Sequence, residues 1–146
     1  MSKEREFEIC ARAVIVIDDR FLVCKRKSKE YFFFPGGHVE FFEKAENALK
    51  RELKEELDIE INKKMVLMGI GENMYKQDNE RRHEVNFFYL IDPSEDIKDK
   101  SLEDHIDFSF LAKNEFLNGK VLPSGASEYI VKWLEDRKMF FMSSSK

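Results

Sequence analysis

The sequence has little of what marks secreted, membrane-spanning or nucleic-acid-binding chains. Cysteine occurs twice in 146 residues, at Cys10 and Cys24. Both lie in apolar, strand-like runs and read as buried free thiols, with no disulfide framework indicated. No cysteine–histidine cluster has zinc-ligand spacing. No apolar stretch is long enough to span a bilayer. Met1 to Glu8 is charged and lacks the apolar run of a signal peptide, so the expected location is cytoplasmic. A basic excess is also missing: 25 Lys and Arg face 29 Asp and Glu, for a net charge of -4. That balance gives no support for general nucleic-acid or membrane-surface binding. Internal repeats, low-complexity tracts and linkers are absent, so residues 1–146 are expected to form a single domain.

What is present is ordinary for a soluble globular chain, with 42% hydrophobic and 37% charged residues. Phenylalanine is plentiful, at 14 residues. So many rings fill a core first, and a ring-rich pocket can also stack a base. Glu8 to Ile17 reads as a strand, Asp18-Asp19 as a turn and Phe21 to Lys25 as the hairpin partner. Tyr31 to Phe34 is a brief aromatic strand stopped by Pro35-Gly36-Gly37. Lys44 to Leu57 is the clearest helix, rich in Ala, Leu, Lys and Glu without an internal Gly or Pro. Met65 to Ile70, His83 to Ile91 and Ile106 to Leu111 read as strands, and Asp92 to Asp104 as an acidic loop. Gly125 to Asp136 is a second helix with Tyr129, Ile130, Trp133 and Leu134 on one side. The residues from about Met142 are expected to fray. Strands outnumber helices and the helices come late, which favours an α+β, α/β/α-sandwich arrangement with a mixed β-sheet between helices.

The informative segment is Gly37 to Ile59. At about 100° per residue, Glu56 falls about 40° to one side of Glu52 and Glu55 about 60° to the other. Ala45, Ala48, Leu49 and Ile59 share that side, while Asn47, Lys50 and Lys54 lie opposite. A solvated acidic face would place its apolar residues opposite the acids. Here the acids extend the apolar stripe, and like charges at these spacings repel, more so when shielded from water. Lys50 and Lys54 point away and Arg51 lies at the edge, so a bound cation resolves the conflict. Carboxylate oxygens are hard ligands, which suits Mg2+ and also Mn2+. The preceding Pro35-Gly36-Gly37 lets a backbone carbonyl or a phosphate approach closely.

These residues carry a resemblance. Gly37, five residues, Glu43, seven residues, then Arg51-Glu52-Leu53-Lys54-Glu55-Glu56, one residue and Asp58-Ile59 resembles the Nudix box, G-x5-E-x7-R-E-U-x-E-E-x-G-U with U aliphatic. The one departure is Asp58 in place of the usual Gly. That Gly ends the helix in a left-handed conformation, which Asp tolerates, and a small change of helix exit is expected. The resemblance implies the Nudix fold and a MutT-like, divalent-metal-dependent hydrolase. Such an enzyme cleaves a pyrophosphate bond in a nucleoside diphosphate linked to another moiety: a nucleoside triphosphate, a nucleotide sugar or a dinucleoside polyphosphate.

Carried over residue by residue, the resemblance gives Glu55 and Glu56 as metal ligands. Glu52 becomes a further ligand or the base on the attacking water, and Gly36 a carbonyl donor to the metal. Arg51 and Glu43 pair to brace the loop against the helix, beside Gly37. Arg26 resembles the basic residue that contacts substrate phosphates in many members. A further downstream carboxylate is expected at Glu103, with Asp104 and Glu95 as rivals. His38 and His83 are weaker candidates, more suited to structural or surface roles. Tyr75 has a placement seen in dinucleoside-polyphosphate members, and Phe32, Phe34, Tyr75 and Phe87 are candidates for base stacking as well as core packing. The implied partner is a small-molecule nucleotide, and a homodimer through the aromatics near Met139 to Met142 is possible. The alternatives are a Nudix-fold regulatory module that binds a nucleotide without turnover, and a divalent-ion-stabilised interaction domain. Erosion of the Arg-Glu-x-x-Glu-Glu core would favour the first, and that core is intact.

Overall fold

The computed structural model describes residues 6–61, 63–92 and 106–145. Among these described residues, ten strands and three helices follow in the order β1 (Phe7–Val14), β2 (Val16–Ile17), β3 (Arg20–Arg26), β4 (Phe32–Phe33), β5 (Gly36–His38), α1 (Ala45–Leu57), β6 (Val66–Gln77), β7 (Glu80–Leu90), β8 (Ile106–Ala112), α2 (Lys113–Asn118), β9 (Val121–Leu122), α3 (Ala126–Asp136) and β10 (Phe140–Ser145). They form two sheets. The first has the order β10-β6-β7-β1-β5 and the second β2-β3-β4-β9, with β8 also paired to β3. The first sheet is mixed: β1 runs parallel to β7 and β10 parallel to β6, while β6–β7 and β1–β5 are antiparallel.

Local chemistry explains the hairpins. Asp18 and Asp19 have φ of 51° and 60°, and Asp78 and Asn79 have φ of 52° and 67°. Paired left-handed residues of this kind make the tight turn whose twist matches antiparallel strands, and Asp and Asn tolerate it better than other residues with a side chain. The second of these turns extends β6 and β7 well beyond the expected Met65 to Ile70 and His83 to Ile91. Pro35-Gly36-Gly37 does not only stop a strand. Gly36 to His38 becomes β5, paired with Cys10 to Arg12. The C-terminal residues expected to fray instead form β10 along β6, with Met142 buried.

The sheets and helices enclose two apolar clusters. One joins Phe34, Phe88 and Met142 to Phe116 of α2 and to Ala126, Ile130 and Trp133 of α3. Its rings pack closely: Phe21 stacks on Phe116 at 4.1 Å between centroids, and Phe34 meets Phe88 edge-on at 5.4 Å. The other lies under α1, where Leu49, Leu53 and Leu57 cover Ala11, Ala13, Ile15 and Tyr89. Cutting one of these leucines back to alanine is expected to cost about 2–5 kcal/mol. Helices thus flank sheet on both sides, as an α+β sandwich requires. Cys10 and Cys24 are buried and unbridged, and burial pushes the Cys10 thiol up to about 11. Tyr129 lies at the rim of its helix face, 41% exposed, with its ring 5.4 Å from that of Phe140.

Candidate active site

Helix α1 starts after Lys44 and ends at Asp58, which takes a left-handed conformation at φ 53°, ψ 37°. The Asp58 and Ile59 amides bond back to the Lys54 and Leu53 carbonyls at 3.2 Å each. Lys54 Nζ reaches Asp58 Oδ1 at 2.7 Å. The expected change of helix exit therefore does not occur: Asp58 makes the turn a glycine would make and ties it down with its own side chain.

The three acids do not share one environment. Glu56 is 6% exposed, whereas the Glu52 side chain is 18% and that of Glu55 56% exposed. The buried face of α1 includes Leu53 and Leu57 beside Ala48 and Leu49. Those two leucines turn its centre away from Glu55, which corrects the reading of one inward acidic stripe. The acids instead run from core to rim to solvent.

A protein cation also answers part of the charge conflict. Arg51 does not stay at the edge. Its Nε and Nη2 donate to the two Glu43 oxygens at 3.1 Å each, Nη2 to the His38 carbonyl at 3.1 Å and Nη1 to Glu52 Oε1 at 3.0 Å. Glu55 and Glu40 lie 3.9 and 4.0 Å away. The bidentate bond holds the Glu43 carboxyl below its ordinary range and raises the Arg51 guanidinium. The expected Arg51–Glu43 brace is present, and it extends to Glu52.

Gly36 and Gly37 show what the glycine pair does. Gly36 has φ 131°, and a β-carbon there would stand 2.1 Å from the Ala11 carbonyl oxygen. A β-carbon on Gly37 would lie 2.6–2.8 Å from the three carboxyl atoms of Glu52. The group that comes close to Gly37 is thus the Glu52 carboxylate of the box itself.

Other expected residues fall elsewhere. Arg26 is exposed at the end of β3, with its guanidinium 6.0 Å over the Phe33 ring, and no described hydrogen bond joins it to the box. Phe34 and Phe87 pack into the two apolar clusters, and Phe32 packs partly buried against the first. His38 and His83 lie 3.5 Å from Glu8 and Glu72 respectively, as strand-surface pairs. Glu95, Glu103 and Asp104 lie outside the described residues. Among the described residues no three carboxylate, histidine or cysteine groups converge closely enough, as the side chains stand, to hold a metal ion.

Two features escape a reading of the motif alone. Glu8, Cys10 and Arg12 alternate on β1, in register with Glu84, Asn86 and Phe88 on β7. Arg12 Nε donates to the fully buried Asn86 at 3.2 Å, and Asn86 donates to Glu84 at 3.2 Å. Tyr75 OH lies 3.5 Å from Glu84 Oε2; burial first, and then Glu84, push the Tyr75 phenol up to about 12. This polar face continues from β5, and its signal was polar residues at every second position in an otherwise apolar strand. The second feature is Phe41 and Phe42, each 98% exposed, in the loop that Arg51 pins.

The NUDIX domain family matches residues 9–134. The chain belongs to the Nudix family. Among solved structures, a MutT protein from Bacillus halodurans superposes with a TM-score of 0.75 at 18% identity, covering 94% of this chain and 89% of that one. A MutT Nudix hydrolase from Burkholderia pseudomallei gives 0.69 at 24% identity, over 88% and 98%. A MutT protein from Methanosarcina mazei Go1 gives 0.63 at 23%, over 94% and 99%. These likenesses show the fold. The family makes the chain a pyrophosphohydrolase, an enzyme of pyrophosphate bonds in nucleoside diphosphate derivatives.

Proposed function

We propose that this enzyme, a single domain over residues 1–146, hydrolyses a nucleoside diphosphate linked to another moiety and that it depends on Mg2+, with Mn2+ as a substitute. The observation that carries this reading is the Glu52 carboxylate. It is set against the bare backbone of Gly37 and held by Arg51, one helical turn from the buried Glu56. The donors fit a hard divalent cation in kind: carboxylates of Glu52, Glu55 and Glu56, with the Gly36 carbonyl as the proposed backbone donor. Such an ion, when bound, neutralises the diphosphate and lowers the pKa of water. Glu55 and Glu56 would hold it. Glu52 either joins them or takes the proton from the attacking water. Arg51 and Glu43 keep the glycine strand and the helix in register, and Arg26 and Glu103 are the proposed phosphate contact and downstream carboxylate.

The cytoplasm is the proposed location; no helix among the described residues is long and apolar enough to cross a membrane. A homodimer through the exposed Met139 and Phe141 fits the C-terminal strand. The regulatory-module alternative is disfavoured by the intact acids. Product release from a nucleotide panel with and without Mg2+ decides between the two. Mg2+-dependent cleavage lost in Glu55→Gln/Glu56→Gln is expected, and inactivity of the wild type across a broad panel overturns the proposal.

A further inference from the structure

Three arginines among the described residues are half-buried: Arg12, Arg51 and Arg82. Two of them are neutralised where they stand. Arg51 meets Glu43 at 3.1 Å and Glu52 at 3.0 Å, and Arg82 meets Glu8 at 2.9 Å. Arg12 differs. Its Nε donates to Asn86 Oδ1 and its Nη1 to the Phe34 carbonyl, each at 3.2 Å, and it forms no ion pair among the described residues. Taking a cation partly out of water costs free energy that a contact anion normally offsets. Arg12 is held in place by two neutral acceptors instead.

Its surroundings do not supply the missing charge. Asn86, fully buried, donates to Glu84 at 3.2 Å and so keeps that carboxylate one amide removed from Arg12. Glu84 also meets Asn73 and Tyr75 at 3.5 Å each. Glu8, on the same face of β1, is taken by Arg82. The neighbouring Cys10 thiol stays neutral, because burial pushes it up to about 11.

The position is tied to the site. Arg12 stands opposite Gly36 in the β1–β5 register, and β5 is the last strand of its sheet. Ala11 and Ala13 face α1, so Arg12 between them faces the other way. Gly37 stands against Glu52 on the α1 side. Glu52 and Arg12 thus lie on two sides of one edge strand whose rim, at Gly36-Gly37, is bare backbone.

We propose that Arg12 binds a phosphate of the substrate other than the one attacked, on the sheet face opposite Glu52, with the substrate passing over the glycine edge. This inference rests on the pyrophosphohydrolase reading above and adds a binding residue that the box does not contain. A guanidinium fork matches phosphate oxygens in pairs. One such fork between Glu8 and Glu84 suits a single anionic group and opposes an extended polyanion such as a nucleic acid.

The test is binding of methylenediphosphonate, a non-hydrolysable diphosphate, to the full chain without added metal, so that protein cations alone are read. The Arg12 Nε–H resonance of the wild type is expected to shift along the binding curve. Arg12→Gln is expected to raise Kd about tenfold, while Arg81→Gln, an equal loss of charge at an exposed β7 position, leaves it within about twofold. Inorganic phosphate, the other source of the same chemistry, is expected to move the resonance several-fold more weakly. Equal affinities for the two anions would make this a site for free phosphate and overturn the substrate role. An unmoved Arg12 resonance, no binding at all, or equal losses in Arg12→Gln and Arg81→Gln overturn the site itself. The wild-type resonance decides even where Arg12→Gln does not fold. Turnover is not part of this readout, so a wild type that binds through Arg12 but cleaves no nucleotide fails the pyrophosphohydrolase reading and keeps the anion site.

Discussion

The carboxyl carbon of Glu52 lies 2.6 Å from where a β-carbon on Gly37 would stand. The glycine strand and helix α1 are therefore fitted to each other at the acid of interest. Gly37→Ala must push Glu52 aside, bend β5 away or do both. A displacement near 1 Å at a reacting group costs about 100-fold in rate. We expect kcat to fall by about that factor, with a loss of stability of roughly 1–3 kcal/mol typical of overpacking. Steady-state kinetics beside a urea titration measure the two. A variant with wild-type kcat would show that Glu52 need not occupy this position.

Arg51 bonds to three groups at once, and lysine cannot copy that fork. In Arg51→Lys the ammonium can keep Glu43 or Glu52 but not both together with the His38 carbonyl. The expected outcome is a kcat drop of about 10- to 100-fold with the fold retained, read by kinetics and circular dichroism.

The same cluster sets an acid limit. Glu43 titrates below its ordinary value of 4.5 because Arg51 holds its charged form. Its folded pKa is depressed, so the bracing is present above about 4.5 and is lost as pH falls through the folded value. A carboxyl-carbon NMR titration of Glu43 should give a midpoint below 4.5 in the wild type and a return towards that value in Arg51→Ala. Equal midpoints would break the link.

Legibility followed the range of the interactions. The helix Lys44 to Leu57 and the Asp18-Asp19 turn are written in neighbouring residues, and both stand. The box acids were legible as a group because spacing alone sets their angles. Their unequal burial was not, because it depends on Leu53 and Leu57 meeting β1 across the cluster under α1. Strand β10 looked like a frayed end because its partner, β6, lies some 70 residues away in sequence and no local signal announces parallel pairing. Its helical angle alone puts Arg51 at the edge of the acidic side. A long side chain can leave its own backbone direction, and this one turned to Glu43, which only the folded loop brings near.

Alkaline pH should weaken the fold through buried groups. Burial raises Cys10 from 9.0 to about 11 and Tyr75 from 10.0 to about 12. Their folded pKa values exceed the unfolded ones, and the disfavoured form is the charged one. Between pH 9 and 11 the unfolded chain therefore releases the Cys10 proton while the folded chain keeps it, and stability falls with a slope of at most about 1.4 kcal/mol per pH unit. Urea midpoints at pH 8, 9 and 10 should decline, and Cys10→Ala should flatten the part that begins near 9. A decline of the same size in Cys10→Ala would assign it to other groups.

Phe42 gives a prediction of opposite sign, in which a substitution improves the fold. At φ 67° a phenylalanine is strained, and its ring recovers nothing from burial because it is 98% exposed. Glycine takes that conformation without strain but gives the unfolded chain more freedom to lose. The strain is the larger effect where the ring has no packing, so Phe42→Gly should stabilise by about 0.5–1 kcal/mol. Phe41→Ala, at a neighbour of equal exposure without the left-handed backbone, should change stability by less than about 0.5 kcal/mol. Thermal and urea unfolding of the two single variants separate the cases. A destabilised Phe42→Gly would mean that the ring packs in solution, and the exposed arrangement of the loop would have to be abandoned.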